Sequence, residues 1–104
     1  MSVLMEFAMF PTSKVEKGSS KYVSRIIEMI RDSSYDYQLT PMGTIVETET
    51  IAQALSLVEK SYLLLEPDCD RVYSTLTFDI RKGHVNTIKE KVKSIEEKIG
   101  TVNK

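Results

Sequence analysis

The sequence predicts an α+β domain: four strands in one antiparallel sheet, two helices on one face of it, and a further helix at the end. Three observations carry this expectation. Val3 to Phe10 is apolar apart from Glu6 and is closed by Pro11, a length that suits a central strand better than a helix. Near the middle, Tyr37-Gln38-Leu39-Thr40-Pro41-Met42-Gly43-Thr44-Ile45-Val46-Glu47 reads as two short strands folded back on each other. Pro41 fixes φ and holds Thr40 extended, and Gly43 is free to take positive φ at the turn exit. Segments with helical spacing flank this hairpin, so each half of the chain reads strand-helix-strand.

Along the first strand, alternation puts Val3, Met5, Phe7 and Met9 on one face and Leu4, Glu6, Ala8 and Phe10 on the other. Glu6 is then a lone carboxylate in mid-strand, which needs a partner or a wet face. Thr12 to Ser20 is a polar loop with Gly18, and Ser19 or Ser20 can cap the helix that follows. Tyr22, Val23, Ile26, Ile27 and Ile30 recur at helical spacing to about Arg31. Asp32-Ser33-Ser34 breaks that helix before the hairpin. Thr50 to Gln53 fits a capping box, and Ile51, Ala54, Leu55, Val58, Tyr62 and Leu65 form the expected stripe of a second helix, stopped by Pro67-Asp68.

A fourth strand follows over Arg71 to about Ile80. Val72, Ser74, Leu76, Phe78 and Ile80 face one way, and Tyr73, Thr75, Thr77 and Asp79 the other. A third helix is expected over 86–99, with Gly100 as its stop and a narrow seam of Val85, Ile88, Val92, Ile95 and Ile99. The order β-α-β-β-α-β is most simply satisfied by a ferredoxin-like sandwich with right-handed crossovers.

At 104 residues the chain suits one domain, 1–104. Apolar residues at 41% and charged residues at 28% are ordinary for a soluble fold, and a net charge of −1 gives no general pull toward nucleic acid or a membrane. Cys69, alone in the chain, cannot form an internal disulfide and fits a reducing compartment, where it reads as a small half-buried residue. No apolar run approaches the ~18 residues of a bilayer span. The first residues lack a basic leader pattern, so a cytoplasmic protein is expected.

Two helices leave the second face of the sheet uncovered. Glu6, Ala8, Phe10, Tyr73, Thr75, Thr77 and Asp79 should lie there, with Gln38 and Thr40 favoured over Tyr37 and Leu39 from the hairpin, and Glu47 on that face or its rim. Such a mixed surface suits a second subunit with polar groups lining a space between the two. The third helix seam has no evident partner among the first five elements. A homo-oligomer, dimer or tetramer, is expected. The alternative is that this helix folds back over its own sheet.

Chemistry is sparse. The one histidine, His84, sits in an Arg81-Lys82-Gly83 link without a nucleophile or metal-type cluster. The four glycines are scattered, so no phosphate loop exists. Lysines of the third helix interleave with Glu90, Glu96 and Glu97, a solvated face. What remains is Glu6, Glu47 and Asp79 among Gln38, Thr40, Thr44, Thr75 and Thr77. These could hold a small cationic or hydrogen-bonding heterocycle, with Phe10, Tyr37 and Tyr73 to stack on it, or merely pair with each other across strands and subunits.

The Tyr37–Glu47 stretch closely resembles the signature of the small thiamine-binding, YkoF-like proteins, with Thr40-Pro41-Met42-Gly43-Thr44 as its specific part. Glu6 early in a strand closed by Pro11, Ser20-Lys21-Tyr22-Val23, Arg71-Val72-Tyr73-Ser74-Thr75-Leu76 and Lys91-Val92-Lys93-Ser94-Ile95 resemble the family more weakly, so the likeness runs nearly the whole chain. It implies a ferredoxin-like fold, an oligomer built through the sheets, and non-enzymatic binding of thiamine or its hydroxymethylpyrimidine part, with no cofactor and no metal. Glu6, Gln38, Thr40, Met42, Gly43, Thr44 and Glu47 are the positions the family pattern carries over, and Phe10 and Tyr37 join them as ring-stacking candidates. The Arg81–Asn86 link departs from the more acidic family pattern. Two other roles fit the same fold: an oligomerisation module without ligand, and a small dimeric enzyme with Glu6, Asp79 or His84 as base.

Overall fold

Strand β1 (Ser2–Pro11) is the axis of the molecule. In the computed structural model, which describes residues 1–12 and 20–104, it is followed by α1 (Ser20–Arg31), β2 (Asp36–Thr40), β3 (Gly43–Thr48), α2 (Ile51–Leu65), β4 (Val72–Arg81) and α3 (Thr87–Ile99). The loop expected over Thr12–Ser20, with Gly18 and Ser19, lies outside the described residues except at its ends. The four strands form one antiparallel sheet in the order β2-β3-β1-β4, the ferredoxin-like arrangement. Pro11 closes β1 as expected and is its last residue, paired with Val72; a proline is tolerated at a strand terminus because no interior ladder donor is lost.

The alternation of β1 decides where the core lies. Val3, Met5, Phe7 and Met9 are buried beneath α1 and α2, together with Val46 of β3 and with Ile26, Ile30, Ala54, Leu57 and Leu65 from the helices. Thr50 caps α2: its hydroxyl accepts from the Gln53 amide at 3.1 Å, and the Gln53 side chain accepts from the Thr50 amide at 3.1 Å. The expected α2 stripe holds at Ala54, Val58 and Leu65 and fails at its other positions. The buried line is Ala54-Leu57-Ser61-Leu65, and Ile51, Leu55 and Tyr62 are exposed. A buried serine hid that line in the sequence; its hydroxyl donates to the Leu57 carbonyl at 2.7 Å, so it costs little in the core.

Register settles the second face. Glu6 stands opposite Ile45 and Thr77, Leu4 opposite Glu47 and Asp79, and Gln38 opposite Ile45. This face therefore holds Gln38, Thr40 and Glu47, as favoured from sequence. The expectation that α3 has no partner within the chain is corrected. Its first half folds onto this face, with Ile88 and Val92 half-buried and Lys91 donating to Asp79 at 2.8 Å. Val85, Ile95 and Ile99 stay exposed.

Candidate functional site

The hairpin turn is held by a side chain. Neither Pro41 nor Met42 has positive φ, so the turn is not of the mirror-image type usual in two-residue hairpins. The Thr40 hydroxyl donates to the Gly43 carbonyl at 2.7 Å and accepts from the Gly43 and Met42 amides at 3.1 and 3.3 Å. Gly43, too, lacks the positive φ expected of it. It is required for another reason: a Cβ there would lie 3.1 Å from the Phe7 carbonyl oxygen, on the backbone of the central strand.

That close approach shapes a cavity of about 210 Å³ between the hairpin, the end of β1 and α1. Phe7 and Met9 wall it on one side, Val23, Ile26 and Ile27 on another, and Leu39 to Thr44 on the third. None of these side chains carries a charge. Thr40 is fully used by the turn. Thr44 is 5% exposed, and among the described residues its hydroxyl has no partner. An enclosed wall that is apolar, with one uncommitted hydroxyl, suits the edge of a flat heterocycle. Met42 at the tip is 85% exposed beside the opening.

Thr40, Met42, Gly43 and Thr44 thus border one cavity, and it lies on the α1 side rather than the second face, where the Phe10 ring instead pairs with that of Tyr73 at 5.7 Å between centroids. The other candidates sit apart. Gln38 faces a slot beneath α3, which Tyr37 borders while its side chain packs toward the core opposite Val46. Glu6 is exposed on the second face, in a shallow depression with Leu4, Ile45, Thr77 and Asp79. It has the wet surface a lone carboxylate needs. Asp79 is held by Lys91 and Arg81, with the Lys91 hydrogen bond first in keeping its carboxyl below the ordinary range.

Glu47 is committed within the chain. Its carboxylate accepts from the Thr87 amide at 2.9 Å, the Ile88 amide at 3.1 Å and the Ser2 hydroxyl at 2.8 Å. Thr87 in turn donates its hydroxyl to that of Ser2 at 2.7 Å. A carboxylate at the first turn of a helix satisfies free amides and complements the dipole. Burial pushes the Glu47 carboxyl up, but these donors outweigh it and hold it below its ordinary value.

His84 is exposed, and no cluster able to hold a metal exists among the described residues. Reading the sequence missed Phe7, Val23, Ile26 and Ile27 as cavity walls, because their spacing marks them only as core. It also missed the Ser2–Glu47–Thr87 network, which joins residues far apart in the chain.

The thiamine-binding protein family model matches residues 5–96. A UPF0045 protein of Methanothermobacter thermautotrophicus is 29% identical over 98 residues, covering 93% of this chain and 99% of that one. A crystal structure of a hypothetical protein from Methanocaldococcus jannaschii superposes with a TM-score of 0.77 at 33% identity, covering 92% of this chain and 97% of that one. One from Thermotoga maritima, provisionally assigned to thiamine biosynthesis or salvage, gives 0.77 at 27% identity over 91% and 99%. The chain belongs to the thiamine-binding protein family. No helix among the described residues is long and apolar enough to cross a membrane.

Proposed function

We propose that this member of the thiamine-binding protein family binds thiamine, or its hydroxymethylpyrimidine part, in the cavity between α1 and the hairpin, without turning it over. One observation carries the proposal: the cavity is walled by apolar and uncharged side chains, with the unpartnered Thr44 hydroxyl among them. The pyrimidine ring fits such a wall, with Phe7 against it, while the thiazolium cation stays toward water, since burying it there would leave a charge without a counterion. A phosphate ester gains nothing from these walls. Glu6 and Glu47 do not line the cavity, so neither is given a contact with the ring. Since the described residues place no nucleophile-base pair beside the cavity, binding and not catalysis is the role proposed.

The protein is further proposed to be cytoplasmic and to work as a homo-oligomer. Supporting this, β4 is an edge strand paired only with β1 in the sheet order, and Tyr73, Leu76 and Ile80 along it are exposed, as are Ile51, Leu55 and Tyr62 of α2. An exposed apolar edge of this length is normally covered.

Calorimetric titration with thiamine, thiamine phosphate and hydroxymethylpyrimidine tests the ligand, and light scattering tests the assembly. The expected result is binding of thiamine and the pyrimidine alike, with no gain from the phosphate. Absence of heat with all three at protein concentrations suited to micromolar affinity overturns the ligand proposal. A ligand consumed during the titration would point to an enzyme instead.

A further inference from the structure

We infer a second small-molecule site, distinct from the hairpin cavity: the slot between β2 and α3, which takes an anionic group carried on a flat apolar body. The slot encloses about 340 Å³, more than the hairpin cavity, and lies against the opposite face of the sheet. Ile88 and Val92 of α3 form an apolar floor and Gln38, opposite Ile45, faces them from β2. Lys89 and Lys93 flank it one helical turn apart.

The charges there do not balance. The other lysines nearby are occupied: Lys91 by Asp79 at 2.8 Å, and Lys104 by Glu96 at 2.9 and 3.0 Å. Glu96, the slot's one carboxylate, is thereby neutralised, and it also accepts from the Val102 amide at 3.3 Å. Lys89 and Lys93 have no partner among the described residues, and neither does the Gln38 amide. Two like charges four residues apart on a helix repel each other. An anion between them removes that repulsion and gains charge-assisted hydrogen bonds, while its apolar body covers Ile88 and Val92. A phosphate monoester and a carboxylate share the required chemistry.

Two-dimensional NMR of the full chain, titrated with phenyl phosphate, benzoate, inorganic phosphate and phenol, tests the site. Phenyl phosphate or benzoate should shift the amides of Gln38, Ile88, Lys89 and Val92, with inorganic phosphate and phenol each weaker than the joined ligand. The double variant Lys89→Gln, Lys93→Gln should lose about tenfold or more in affinity, and added salt should weaken binding to the native chain more than to the variant. Lys98→Gln, on the same helix outside the slot, should bind as the native chain does. No shift at millimolar ligand, shifts confined to the hairpin cavity, or equal affinity in the double variant overturns the proposal. Because hairpin-cavity residues are read separately in the same spectra, failure here leaves thiamine binding untouched, and the converse holds.

Discussion

Strand β2 walls two spaces that differ in kind. Leu39 and Thr40 border the cavity under α1, where among the described residues no lining side chain is charged and the Thr44 hydroxyl has no partner. Tyr37 and Gln38 border the slot under α3, where two ammonium groups stand without partners. Five residues of edge strand therefore serve two chemistries. The difference comes from what each face meets. α1 presents a row of isoleucine and valine, whereas α3 presents a seam only two positions wide, so lysines lie at its margins. The hairpin side is rigid through backbone contact. The α3 side is held at its first turn by Glu47 and further along by Lys91 on Asp79.

Four substitutions separate the two regions. Gly43→Val should have the largest effect, because its side chain meets the backbone of β1. A loss of about 3 kcal/mol is expected, seen as a Tm lowered by roughly 15 °C together with lost thiamine binding. A stable protein that still binds would show that the hairpin tolerates displacement.

Glu47→Ala should cost about 2 kcal/mol by leaving the Thr87 and Ile88 amides and the Ser2 hydroxyl without their acceptor. Hydrogen exchange should rise in α3 and stay unchanged at Phe7 and Thr44. The same bond gives a pH dependence. The folded Glu47 carboxyl sits below its ordinary value of 4.5, so its contribution is complete above that value and is lost as pH falls through the lower folded one. The α3 amides should lose protection in acid while those of β1 keep theirs. Equal loss across the molecule would refute a separate hold on α3.

Thr44→Val keeps the shape of the cavity wall and removes its free hydroxyl. Affinity for hydroxymethylpyrimidine should fall by about fivefold to tenfold, with stability close to native. Lys91→Ala breaks an exposed pair with Asp79, and a change of about 0.5 kcal/mol or less is expected in a denaturant titration. A larger loss would mean that this pair, and not Glu47, anchors the helix.

The elements were legible because each rests on local chemistry. β1 showed its alternation, Thr50 and Gln53 their reciprocal cap, and Gly100 its stop, where the chain turns with φ 88°. The α2 stripe was misread because Ser61 faces the core and Leu55 does not, and periodicity weighs residue type, not the neighbour that satisfies a hydroxyl. Among the site residues, the Thr40–Thr44 cluster was legible as one turn. Its placement on the α1 side was not, since it depends on which face of β3 meets β1.

The sequence by itself determined the order of elements, the two faces of β1 and the hairpin that carries the family pattern. These follow from side-chain period and backbone restriction, which act over a few residues. Only the tertiary structure decided that Gly43 is needed for a close approach to Phe7 rather than for its φ, and that Glu47 holds α3. It also decided that α3 folds onto its own sheet. Each of these depends on a contact between segments distant in the chain, where the deciding quantity is a distance of about 3 Å between groups whose meeting no local pattern encodes.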